Sequence, residues 1–292
     1  MTRRATKSCQ PERRRRSRSS VLAVGTLGRE FVKILFQKRT YVGWAGLLAV
    51  PLLMVLALDL SGSKPAPGEG PAFFSRIVGN GLFAPLVAIG ALSLFLFPLV
   101  ASMAGAFPLA GEAEMGTMKT WLSRPLGRAA VLFSKWGVAT LYVVVGMALV
   151  GLGGLLAGGL VFGIHPMVTI SGTTLSIPAG VGRVVLANLV ILAALLCMVS
   201  LALFVSTLTD SSLTAAITAM VVFIVLTILN GFSYFDFMKP YTFTSYNTAF
   251  VNLIRDPIVW RPIRDALLVD AATVAGLLAV SWLVFRRKDI LT

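Results

Sequence analysis

Long apolar runs alternate with short polar stretches along the chain. About 20 consecutive apolar residues suffice to cross a bilayer as a helix. Six runs meet that length, at about 42–60, 82–110, 134–163, 183–207, 212–231 and 267–285. The second is interrupted by Pro85, Pro98 and Pro108. The pattern predicts an all-α integral membrane protein with six transmembrane helices, residues 21–292 forming a single transmembrane domain.

Three polar interruptions carry structure of their own. In GREFVKILFQKRTY (28–41), Phe31, Ile34, Leu35 and Lys38 recur at helical spacing. The segment reads as an amphipathic interfacial helix before span 1. Its five charges argue against a simple extension of that span. In GEAEMGTMKTWLSRPLGR (111–128), Met115, Met118 and Leu122 make one apolar face beside Trp121. Glu112 and Glu114 precede it, where negative charge suits a helix N-terminus. Pro125 and Gly127 turn the chain back. A short helix pinned between spans 2 and 3 fits the groove of a soluble partner, or else lies on lipid. The third interruption, 232–266, is rich in Phe and Tyr, too long for a turn and too broken for a span. It reads as short re-entrant or interfacial helices between spans 5 and 6. Tyr241, Phe243, Tyr246 and Phe250 form either an outer gate or a plain aromatic belt at headgroup level.

Charge sets the orientation. Most of the 26 Lys and Arg residues lie before the first span, in the 111–135 loop, or at 286–288, whereas 161–182 has none. Basic loops stay in the cytosol, so both termini are expected there. Arg3, Arg4, Lys7, Arg13, Arg14, Arg15, Arg16 and Arg18 crowd the first eighteen residues. Residues 1–20 therefore read as a disordered cytosolic tail that touches anionic lipid, rather than nucleic acid. The apolar stretch that follows is too short for a signal peptide.

The third run contains GLGGLLAGGLVFG (151–163). Gly154 with Gly158, and Gly159 with Gly163, make two G-x-x-x-G pairs that let helices approach closely. Ordinary packing within the chain and a dimer interface are both open. Catalytic chemistry is not in view. There is no phosphate-binding loop, no H-E-x-x-H and no G-x-S-x-G. His165 is the single histidine, and Cys9 and Cys197 offer no metal-ligand spacing. Asp59 and Asp270 are expected near the outer ends of their spans. No series of buried carboxylates marks an ion-driven carrier.

The polar loop carries a resemblance. E-x-E-x-G-T (112–117), W-L-S-R-P-L-G-R (121–128) and Lys135 resemble the loop of ABC-2-type transporter permeases. The pre-membrane segment 29–41 and the closing W-L-V-F-R-R-K-D-I (282–290) are similar to that family's ends. The resemblance implies the membrane subunit of an ATP-binding-cassette exporter in the cell membrane, not itself an enzyme. It implies two partner ATPase subunits that hold ATP and Mg, no cofactor in this chain, and a second permease copy, as a homodimer. The loop would be the coupling helix, with Glu112, Glu114, Gly116, Thr117, Met118 and Trp121 at the docking contact and Arg124 at its rim. The substrate-binding residues stay unassigned, and the apolar walls suit an amphipathic or lipid-like cargo. A self-contained channel or carrier, and a membrane scaffold that recruits a cytosolic protein, are the alternatives.

Overall fold

The structure is a computed structural model, and it describes residues 38–61, 79–114 and 128–287. The expected interfacial helix at 28–41 and the coupling helix at 111–128 fall largely outside the described residues. Among the described residues, six helices are long and apolar enough to cross a bilayer. They are α1 (Lys38–Ser61), α3 (Leu96–Glu114), α4 (Arg128–Phe162), α5 (Ile177–Leu208), α6 (Ser212–Asn230) and α7 (Trp260–Arg287). A shorter apolar helix, α2 (Ala84–Ser93), precedes α3 and is entered through a 3-10 turn at Gly81–Phe83.

The apolar run at 82–110 is thus not one helix but two. Pro85 sits in the first turn of α2, where its missing N–H costs nothing. Pro98 sits in the first turn of α3, so no N–H there can bond the carbonyl of Leu94. The chain breaks at Leu94–Phe95 for that reason, and α3 resumes with Leu99 N–H donating to the Phe95 carbonyl at 3.0 Å. Pro108 lies inside α3 without ending it.

Small residues set the helix contacts, because lipid supplies no hydrophobic drive between helices. Gly81 and Gly158 bring the entry to α2 backbone-to-backbone against α4. A Cβ on either would collide with the other's main chain. Gly154 seats Pro85 in the same way, and Gly105 of α3 seats Val199 and Ala202 of α5. Gly146 and Gly153 make notches on α4 for Leu47 and Leu48 of α1. Trp44 stacks on Tyr142 there, with ring centroids 5.4 Å apart. The centre of the bundle is α5 with α2 and α3, while α1 and α7 lie at the periphery.

Of the two G-x-x-x-G pairs, Gly154 and Gly158 face α2 and its entry turn, and Gly159 faces Ile164 of its own chain. Gly163 lies past the end of α4 at φ +74°, so it ends the helix rather than packing one.

A two-stranded antiparallel ribbon, β1 (Met167–Val168) with β2 (Thr174–Leu175), joins α4 to α5. Residues 232–254 run as four 3-10 turns rather than longer helices, at Ser233–Phe235, Lys239–Tyr241, Phe243–Tyr246 and Ala249–Ile254.

Asp270 is a correction to the sequence reading. It lies about 15 Å along α7 from Trp260, and it is only 2% exposed. It faces the thiol of Cys197 at 3.5 Å instead of lying at a span end.

Candidate functional site

Helix α3 ends at Glu114 and α4 begins at Arg128, so residues 115–127, which lie outside the described residues, join these two ends. Three polar contacts gather at that end of the bundle. Each follows from an unsatisfied helix terminus.

The first joins α3 to α4. Lys135 Nζ lies 2.6 Å from Glu112 Oε2 and also donates to the Pro108 carbonyl at 2.6 Å. The side chains are 3% and 5% exposed. No basic residue stands in the last turn of α3. Lys135 reaches across from α4 to supply the positive charge that a helix C-terminus favours. Burial of these charges is sustained because they pair with each other and Lys135 also reaches the Pro108 carbonyl.

The second joins α3 to α6. Glu114 Oε2 accepts from the hydroxyl of Ser212 at 2.8 Å and from its backbone N–H at 3.3 Å. A carboxylate at a helix N-terminus satisfies an orphan donor and meets the positive end of the dipole. The third joins α4 to α7. Arg128 donates to the carbonyls of Arg286 at 2.8 Å and Phe285 at 3.4 Å, the last turn of α7.

Both carboxylates expected at a docking contact are therefore engaged within the bundle, and Glu112 is buried. Gly116, Thr117, Met118, Trp121 and Arg124 lie outside the described residues. Sequence spacing did not reveal the partners of Glu112 and Glu114. Lys135 and Ser212 stand 23 and 98 positions away, and only tertiary packing brings them close.

The opposite end of the bundle is tied as firmly. Asn80 donates to the carbonyl of His165 at 2.7 Å and accepts from Leu82 N–H at 3.0 Å. Gly81 N–H donates to the Gly163 carbonyl at 2.9 Å. Arg183, in the second turn of α5, donates to the carbonyls of Leu253 and Arg255. Asp256 accepts from Thr173 at 2.9 Å, which draws the ribbon onto the 3-10 segment. Asn80 and Arg183 were not flagged by the sequence, since neither belongs to a motif.

The four candidate gate aromatics divide. Phe243 and Phe250 are buried in the core, Tyr241 is exposed, and Tyr246 packs at the edge. Phe243 also lines a small cleft of ≈ 10 Å³, about the room of one water, beside the α2–α3 break. Ile191, Leu195, Met198 and Phe223 line it, with Ser93 and Asn247 at its polar rim. Among the described residues no group of three or more His, Cys, Asp or Glu could hold a metal.

The chain matches, over residues 37–290, the family described as ABC-2 family transporter protein. That stretch takes in all six spans and the loop with its three contacts. No curated protein is similar enough to this chain to match it.

Proposed function

The chain belongs to the ABC-2 transporter family, and on that premise we propose that it moves an amphipathic or lipid-like substrate outward, driven by ATP hydrolysed in a separate subunit. It is a multi-pass membrane protein and the permease component of an ABC transporter. The family associates with an ABC ATPase in general. In our reading two ATPase subunits carry ATP and Mg, two permease copies pair in the cell membrane, and the loop end of the bundle faces the cytosol.

One observation carries the proposal. The two ends of the 115–127 loop are bonded to α4, α6 and α7 through Glu112, Glu114 and Arg128. Displacement of that loop by a soluble partner is delivered to four helices rather than absorbed by a slack connection. Gly116, Thr117, Met118 and Trp121 form the docking face, with Arg124 at its rim. Glu112 and Glu114 hold the base of the loop.

Gentle detergent extraction of the tagged chain, followed by mass spectrometry, tests the reading. A stoichiometric soluble protein with a phosphate-binding loop is expected. Trp121→Ala combined with Met118→Ser should strip that protein away while the spans stay folded. A chain that purifies alone, or with a partner lacking such a loop, overturns the proposal.

Asp270 favours a second reading. A carboxyl buried in a span is a group on which a proton-driven carrier would rely. Gradient-driven proton uptake by the chain alone in liposomes would support that reading.

A further inference from the structure

We propose that Glu112 and Lys135 are positioning residues that join α3 and α4 into one lever, which bends at the Leu94–Phe95 break when the loop between them is pushed. The proposal rests on the permease reading and deepens it by naming the residues that pass motion from the loop to the spans.

The pair stands on both shoulders of the loop. Glu112 is two residues from the end of α3, and Lys135 is in the second turn of α4. Lys135 grips α3 twice, at the Glu112 carboxylate and at the Pro108 carbonyl one turn earlier. A contact to side chain and backbone across a full turn resists rotation of one helix against the other. Both side chains are shielded from water, so neither solvent nor salt screens the contact as it would a surface pair.

Depth supports the same role. Lys135 lies about 40 Å along α4 from Phe162, beyond the roughly 30 Å of a hydrocarbon core measured from that end. With Phe162 taken at one boundary, the pair lies at the other, beside the point where residues 115–127 join the two helices. At the other end Asn80 and Gly81 hold the entry to α2 onto residues 163–166. The interrupted span is thus fixed at both ends. Between them is the break at Leu94–Phe95, where Pro98 interrupts the helical ladder. The cleft lies beside that break, with Ser93 and Pro98 in its wall. A push at Glu112 and Lys135 is converted there into a change of the cleft.

The break also supplies the reporter. Leu94 is 75% exposed, whereas Cys197 is fully buried. The experiment uses the full chain with its co-purifying ATPase, in membranes, with Cys9→Ser and Leu94→Cys. The rate of maleimide labelling at position 94 is compared without nucleotide and with ATP plus orthovanadate.

With Glu112 and Lys135 intact, trapping is expected to change the labelling rate. Glu112→Gln and Lys135→Gln should each abolish that change while the ATPase stays bound. The exchange Glu112→Lys with Lys135→Glu should restore part of it. A pair that only stabilises the fold would leave the change intact in any single variant that folds, and that result overturns the proposal. So does an ATPase lost from the single variants, which would make the pair a docking contact. If the singles do not fold, the exchange variant decides. Recovery of both folding and the nucleotide-dependent change supports the lever, and recovery of neither, or of folding alone, overturns it. An unchanged rate with the pair intact removes the bend at 94. If the intact chain brings down no ATPase, the permease reading itself falls and takes the lever with it.

Discussion

At the scale of single residues, the outcome of a substitution depends on what partner is left behind. Removing one member of a buried ion pair strands the other charge, a loss of about 3–5 kcal/mol, whereas replacing both with apolar groups is often neutral. Lys135→Met alone should therefore lower thermal stability in detergent strongly. Glu112→Leu with Lys135→Met should recover most of it, as read by size-exclusion profiles after heating. A double variant as unstable as the single would show that the Pro108 contact, not the pair, holds the helix ends. The glycine contacts give a sharper steric test. At Gly158 a Cβ would meet the Gly81 carbonyl and Ala84. Gly158→Val is expected to separate α4 from α2, a cost of a few kcal/mol at most overpacked sites. At Gly182 a Cβ meets nothing, so Gly182→Ala should leave stability unchanged in the same assay.

At the scale of elements, the six spans were legible because length and apolarity alone specify them. Their ends were less so. α7 begins seven residues before the expected 267, because Trp260, Arg261 and Arg264 are polar or amphipathic yet helical. The division of the second run was hinted at by its three prolines, but which of them breaks the helix is a question of position. Pro85 and Pro98 fall in first turns, and Pro108 is tolerated within α3. Asp270 was misplaced because the sequence shows distance along a helix and not which face turns inward. The same limit hid Asn80, whose role depends on carbonyls more than 80 residues away. That contact predicts an effect confined to one element. Asn80→Ala removes the cap on Leu82 N–H and the bonds to residues 165 and 166. Loss of a cap of this type costs about 1 kcal/mol. Hydrogen exchange at 81–86 should speed up, while exchange across α5 stays as it was. Uniform acceleration through the bundle would mean that the α2 entry is not an independent unit.

At the scale of the whole molecule, the question is where the energy for movement enters. These 292 residues carry no phosphate-binding loop motif; in the permease reading ATP hydrolysis enters from a partner, and in the carrier reading the drive is an ion gradient. The arrangement of buried charge separates these two. Glu112 is neutralised by Lys135 at the loop end, where a soluble partner would push. Asp270 is far from that end and is hydrogen-bonded to the Cys197 thiol, with no metal-holding group of three or more His, Cys, Asp or Glu among the described residues. An ATP-driven permease therefore requires Glu112 but not an ionisable group at position 270. Asp270→Asn retains size and hydrogen-bonding capacity, so it isolates the charge. The complex with Asp270→Asn is expected to hydrolyse ATP at the unmodified rate. Liposomes holding the chain alone and an entrapped pH dye should show no proton uptake above empty vesicles under an imposed gradient, with or without the substitution. Uptake by the unmodified chain that vanishes in Asp270→Asn would place the drive in the membrane and reduce the loop contacts to structural ties.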